Sequence, residues 1–442
     1  MFSFATTLTL GAIVVNGLIL HPGYDQVATD QYNLLKFMVG AGPFVEHSGF
    51  GIPLDTPPHC EIEQAQLFMR HGERFPTESS GKQYKKFYER LKKANVIDYK
   101  GPLAFVEDLE YFVPDSDNYE LETTRGLYSG LLNAFKFGTY LRERYDSLVN
   151  TSEVLPIFAA SEDRVVDTAR SFGRGFFGPD YGKGCSIQVI NETDTSKGAN
   201  ALTTKDNCPT YNSSFFDYSF GDEIFQREAD RLNELSPGFN ITADDITTMG
   251  TYCAYETNVK GHSSFCDALS REAFIALQYN NDVTKFYEFG PGYNMSAVAG
   301  GVYANATAKL LQEDGKLWLS FSHDNDLLNY ITALGLITDT ELGTEDVDFH
   351  RSFKTSELVP QGARLIIEKL NCSDTSFVRT ILNDKVYPVP GCSSGPGYSC
   401  PLEDYLDIIT PEVDYASACE LPDDAPKEIS FYWDWKPTFE NN

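Results

Sequence analysis

The sequence predicts an α/β fold, an open mixed sheet flanked by helices with a smaller α-helical lobe inserted into it, and three observations carry that prediction. Three times, an apolar run of strand length ends in a short polar turn and is followed by apolar residues at helical spacing. Between the second and third of these units, from about residue 175 to 300, polar loops and short helical patterns dominate. Near the end, ARLIIEKL and SFVRTILNDKVYPV read as two further strands, the second turning at Asn383 and Asp384. Strand, turn and helix in repetition favour a sheet whose polar residues collect at the carboxyl ends of parallel strands.

The first unit is CEIEQAQLFM, Cys60 to Met69, whose apolar tail runs into the octet RHGERFPT, Arg70 to Thr77. Beyond the octet Tyr84, Phe87, Tyr88 and Leu91 recur at helical spacing, so two arginines and a histidine sit where a strand ends. In the second unit Val154 to Ala159 is the strand and Ser161 the expected N-cap. Val165, Ala169, Phe172 and Phe176 form its helix face, with Arg164 in the first turn. In the third, Leu317 to Phe321 is the strand, His323 and Asp324 occupy the turn, and Asn325 or Asp326 caps the helix. Leu327, Tyr330, Ile331 and Leu334 are that helix's apolar face. The inserted lobe is read from FQREADRLNEL and CDALSREAFIALQYNNDVTKFYEF. The expected organisation is a leader over 1–20, an α/β domain built from 21–174 and 301–442, and a mostly helical cap lobe over 175–300. GPGY at Gly290 to Tyr293 and SGPGYSC at Ser394 to Cys400 lack the spacing and lysine of a P-loop and read as turns.

With 442 residues, 42% hydrophobic and 13% aromatic, the chain has ample material for a buried core. Its formal charge of −29 argues against nucleic-acid or anionic-membrane partners, whose affinity comes from massed Lys and Arg. A phosphate would have to be held by a local arginine cluster working against the overall field. Residues 1–20 carry no charged side chain and are strongly apolar from Leu8 to Leu20, which reads as a secretory signal peptide, with an uncleaved anchor as the lesser alternative. Seven N-x-[ST] sequons, at Asn150, Asn191, Asn212, Asn240, Asn294, Asn305 and Asn371, support export to the periplasm, wall or medium. Nine cysteines form no C-x-x-C pairs and no zinc spacing with histidines, so disulfides are expected, with one thiol left over.

Phosphate monoesters hydrolyse very slowly unaided, so a catalyst must neutralise the equatorial oxygens, supply an in-line nucleophile and protonate the leaving alkoxide. Guanidinium groups are always charged and fork onto phosphate oxygens, which suits Arg70, Arg74 and Arg164 to the first task. A neutral His71 is the candidate nucleophile, forming a phosphohistidine. Asp324 is the candidate acid and then base, and His323 a donor to phosphate; the scheme calls for no cofactor and no metal. Gly72 permits close backbone approach to an anion and Pro76 stiffens the exit of the octet. The HDND stretch lacks the Gly and distant Glu of a calcium loop, while a helix N-cap role is compatible with catalysis. His21, His47, His59, His262 and His350 read as structural or surface residues.

RHGERFPT and SHDND together resemble the histidine acid phosphatases, in particular the secreted yeast acid phosphatases and their phytase relatives. The likeness runs from QYNLLKFMVGAGPF through YCAYETNVKGHSSFCD, PQGARL and CSSGPGYSC to FYWDW. It implies a metal-independent hydrolase of phosphate monoesters, phytate among the candidates, with His71 as nucleophile and Asp324 as proton donor. It assigns phosphate binding to Arg70, Arg74, Arg164 and His323, the Arg164 match resting on context. It further implies the pairs Cys60–Cys372, Cys208–Cys419, Cys253–Cys266 and Cys392–Cys400, leaving Cys185 over. Glu73, at the variable position of the motif, is expected to put a carboxylate beside the phosphate pocket and to favour activity in acid. The alternatives are a phosphoryl-transferring mutase of the same motif type and a non-catalytic wall glycoprotein.

Overall fold

The computed structural model describes residues 33–438 apart from 47, 48, 215, 217, 411 and 412, so the leader, His21 and His47 lie outside the described residues. Eight strands form one mixed sheet: β1 (Cys60–Arg70), β2 (Leu155–Ala160), β3 (Cys185–Ile190), β4 (Leu317–Ser322), β5 (Arg364–Cys372), β6 (Thr375–Leu382), β7 (Lys385–Val386) and β8 (Cys400–Pro401). Their order is β3-β2-β4-β1-β5-β6-β7, with β8 on β6. The first four are mutually parallel, and β5 to β8 add antiparallel pairs. Continuous burial from Gln64 to Arg70 in β1 and from Pro156 to Ala160 in β2 is what strands covered on both faces require. Asn383 (φ 48°) and Asp384 (φ 62°) both take left-handed backbone, the paired requirement of a tight hairpin turn matching strand twist.

The principal helices are α1 (Glu78–Lys92), α2 (Gly130–Tyr145), α3 (Asp163–Phe177), α4 (Asp222–Leu235), α5 (Ala243–Lys260), α6 (Arg271–Phe289), α7 (Asn294–Leu311) and α8 (Asp324–Ala333). Helix α3 lies on β2, β3 and β4 and against α2. That crossing is glycine-dependent from both sides, because a Cβ at Gly138 would meet the Phe172 carbonyl at 2.2 Å and one at Gly175 the Phe135 carbonyl at 2.0 Å. Helices α4, α5 and α6 pack on one another, and α1 turns its Tyr84–Phe87–Leu91 face to them. There Tyr252 of α5 stands edge-on to Phe112 and Phe265, with centroids 4.7 and 4.6 Å apart. Gly290 to Tyr293 joins α6 to α7, and Ser394 to Cys400 forms a turn with Gly397 at φ 63°.

Three expectations change. The stretch 175–300, read as a mostly helical lobe, also contributes to the sheet: Cys185–Ile190 is its edge strand, paired in parallel with β2. Ser161 does not cap α3. Glu162 stands at the N-cap without a side-chain capping bond, and the Ser161 hydroxyl instead accepts from the Glu192 amide at 3.1 Å, tying the ends of β2 and β3. His323, in extended backbone, precedes α8, while Asn325 accepts from Lys285 and Asp326 is buried.

Four disulfides close: Cys60–Cys372 across β1 and β5, Cys208–Cys419, Cys253–Cys266 and Cys392–Cys400, the pairs implied by the resemblance. Cys185 is buried and takes part in none of them. No helix among the described residues is long and apolar enough to cross a membrane.

Candidate active site

Strand β4 enters the sheet between β1 and β2, so the residues following three adjacent parallel strands meet at one edge. Polar sites gather at such a reversal of strand order because the loops there diverge and leave a crevice. Arg70 ends β1 and His71 and Arg74 follow it; His323 and Asp324 follow β4; Arg164 lies in the first turn of α3, after β2. The rings of His71 and His323 are 5.9 Å apart.

His71 is almost wholly buried. Its amide donates to the Ser322 carbonyl at 3.1 Å, locking β1 to β4 where both motifs begin. Its Nδ1 lies 2.9 Å from the Gly72 carbonyl, which places the hydrogen on Nδ1 and leaves the Nε2 lone pair for attack. Burial, then Arg70, Arg74, Arg164 and His323, hold the imidazole's pKa well below its ordinary value.

Arg70 is buried and donates through Nη1 to the carbonyls of Gly40 and Val359, both at 2.5 Å, while Nη2 stands 3.4 Å from Asp324 Oδ2. Its Nε, like those of Arg74 and Arg164, is buried without a hydrogen-bond partner, so all three guanidiniums retain donor capacity. Arg74 is fixed by Gln361, whose Oε1 accepts its amide at 2.9 Å, and by the Tyr255 ring, 5.4 Å from its guanidinium carbon. Burial alone would raise the Asp324 pKa, but Arg70, with Lys285, His323 and Arg74, outweighs it and holds the carboxyl well below the usual carboxylate range.

Arg164 is held differently. Its Nη1 donates to Glu120 Oε2 at 3.0 Å and its Nη2 pairs with Glu162. His323 presents Nε2 to Glu192 Oε2 at 2.8 Å, so its ring is paired with a carboxylate.

Glu73 overturns the expectation placed on it. It is buried, and its carboxylate accepts from the Phe44 amide and from Asn133 Nδ2, each at 3.1 Å. Both of its oxygens are engaged in anchoring the loop to its neighbours.

Several residues that shape the pocket carry no motif. Glu122 accepts the Gly72 amide at 2.7 Å, with the Thr168 hydroxyl donating to the same oxygen. Its other oxygen is buried without a partner, and burial pushes the carboxyl up to about 8 against the opposing Thr168 and Gly72 bonds. A Cβ at Gly72 would come within 3.0 Å of that oxygen and of the Gly130 backbone, so glycine is required there by close packing. One trio among the described residues, Glu162, Glu192 and His323, brings metal-ligating atoms within 4.8 Å of one another.

Of the sequons, Asn150, Asn191, Asn212, Asn240 and Asn294 are exposed, whereas Asn305 and Asn371 are half-buried. The hydroxyl of Thr307, which completes the Asn305 sequon, donates to buried Gln66 at 2.8 Å.

A family model described as the histidine phosphatase superfamily (branch 2) matches residues 61–383. The chain is 48% identical to the acid phosphatase PHO1 of Komagataella pastoris, covering 93% of this chain and 92% of that one. It is 39% identical to the phytase PHO112 of Candida albicans, over 97% and 98% of the two chains. The crystal structure of the phytase from D. castellii superposes with a TM-score of 0.87 at 38% identity, over 94% of this chain and 95% of that one.

Proposed function

This chain belongs to the histidine phosphatase superfamily, branch 2, and is a phosphomonoester hydrolase of the acid phosphatase and phytase kind; on that premise we propose how its own residues carry the reaction. The observation that carries the mechanism is the environment of His71: a buried imidazole ringed by three arginines, with its Nδ1 committed to the Gly72 carbonyl. Such a ring stays a free base in acid, where an ordinary histidine is protonated and cannot attack. Nε2 displaces the ester oxygen to form a phosphohistidine, while Arg70, Arg74 and Arg164 neutralise the equatorial oxygens.

The Arg70 guanidinium beside it keeps Asp324 ionised. An arriving phosphate draws on the same cation, weakens the hold on the carboxylate, and lets Asp324 take the proton of the monoanionic ester and pass it to the leaving oxygen. Water then attacks the phosphohistidine with Asp324 as base. His323 turns from Glu192 to a phosphate oxygen in this scheme. The four disulfides fit an extracellular protein. With the leader, we read a secreted glycoprotein of the periplasm, wall or medium, carrying glycans at the five exposed sequons.

Cations around the pocket are matched by acids: Arg164 by Glu120 and Glu162, His323 by Glu192, Lys205 by Asp206, and Lys285 by Glu288 at 3.9 Å. A polyanion therefore meets little net positive field, which favours esters with a single phosphate over phytate. The test is phosphate release from p-nitrophenyl phosphate and from phytate, with excess chelator, from pH 2 to 8, combined with acid-free denaturation of labelled enzyme in mid-turnover. Acid-side turnover and an alkali-stable phosphoryl label absent from His71→Ala are expected. Label that persists in His71→Ala would overturn the assignment of the nucleophile.

A further inference from the structure

Three neighbouring parallel strands, β3, β2 and β4, each lead within two residues to a side chain able to ligate a metal: Glu192, Glu162 and His323. The topology delivers them to one spot. The Ser161 hydroxyl fastens the turns bearing the two glutamates, and the three donor atoms lie within 4.8 Å of one another. Glu192 is nine-tenths buried and gives Oε2 to His323, while its Oε1 is buried with no hydrogen-bond partner. A carboxylate oxygen removed from water and left without a donor is an unmet demand for positive charge.

We propose that Glu162, Glu192 and His323 form an inhibitory site for a divalent transition ion, zinc being the best match. One imidazole nitrogen and two carboxylates neutralise a dication and make the three-ligand set that zinc accepts with an open fourth position. The imidazole and the low ligand count disfavour magnesium and calcium, which take six or more oxygens or keep most of their waters. Zinc bonds of about 2.0–2.2 Å would draw the donor atoms closer together than they now stand. Glu162, an exposed side chain after β2, has the freedom to make that move. Binding occupies His323, which the reaction needs for phosphate, and takes Glu162 away from Arg164. Zinc and substrate then exclude one another.

Calorimetric titration of the phosphate-free full-length protein with zinc chloride at pH 6, beside p-nitrophenyl phosphate kinetics at rising zinc, tests this. Expected are one zinc per chain, an apparent KM that rises with zinc at constant kcat, and no effect of magnesium at the same concentration. Glu162→Gln, a change at an exposed position, should weaken zinc binding by at least about tenfold in the calorimeter, and Glu192→Gln should do the same. No zinc uptake, unchanged affinity in Glu162→Gln, or a fall in kcat without a rise in KM would each overturn the site. A chain that binds zinc as expected but hydrolyses no ester would count against the reaction scheme, leaving the metal site standing.

Discussion

Arg70 and Arg164 both act on the His71 imidazole, yet they are held in opposite ways. Arg70 is 2% exposed and anchored to two backbone carbonyls, Gly40 and Val359, from segments that close over it. Arg164 is tied to Glu120 and Glu162, whose side chains are 42% and 44% exposed. Backbone anchors cannot be protonated, screened or drawn away by an ion; exposed carboxylates can. One half of the pocket is thus fixed for catalysis, and the other half is adjustable.

The contrast breaks first, if at all, under substitution of the arginines themselves. Arg70→Ala should lower kcat/KM for p-nitrophenyl phosphate by about 10³-fold, as for loss of a preorganised charge donor, with Arg164→Ala costing roughly tenfold and mostly through KM. Equal losses would erase the distinction. Next in size is Asp324→Asn, which should cost about 10²–10⁴ for alkyl phosphates while leaving p-nitrophenyl phosphate, whose leaving group needs little protonation, within about tenfold. Equal damage to both esters would remove Asp324 from the proton-donor role.

A third prediction probes the fixed half through stability. Glu122 holds its proton to about pH 8 in the folded chain, and an unfolded glutamate ionises near 4.3. Its contribution is therefore fully present below about pH 4 and is lost as pH rises through about 8. Thermal melts from pH 5 to 8 should show wild-type stability declining, and Glu122→Gln should flatten that decline. The smallest effect belongs to the adjustable half. Glu120→Gln with Glu162→Gln should raise the ratio of phytate to p-nitrophenyl phosphate turnover by a few fold at low salt, and the gain should fade near 1 M salt, where the Debye length is about 3 Å.

The same division separates what could be read from the chain and what could not. RHGERFPT and HD were legible because each is a local motif whose chemistry is carried by adjacent residues at a strand end. Their supports were not. Gly72 meets Glu122 fifty positions away and Thr168 ninety-six away, Arg74 meets Gln361 after 287, and His323 meets Glu192 after 131. Sequence places Glu73 in the loop but does not say which side of the loop it faces. Strand β3 was missed because a six-residue edge strand among sequons and polar turns leaves a weak trace, although Cys185, Ile187 and Val189 do alternate with Ser186 and Gln188.

The position of β4 has a consequence for how the enzyme comes into being. It fills the gap between β1 and β2, but in chain order it follows the whole helical lobe. During synthesis both neighbours emerge long before it, so the nascent chain holds the RHGERFPT loop without the HD turn or a closed sheet until β4 is made. A chain that ends before residue 317 has a gap between β1 and β2 where β4 would pair with both. The two motifs are thus brought together by the last strand to enter the parallel part of the sheet, and the pocket forms only as that part closes.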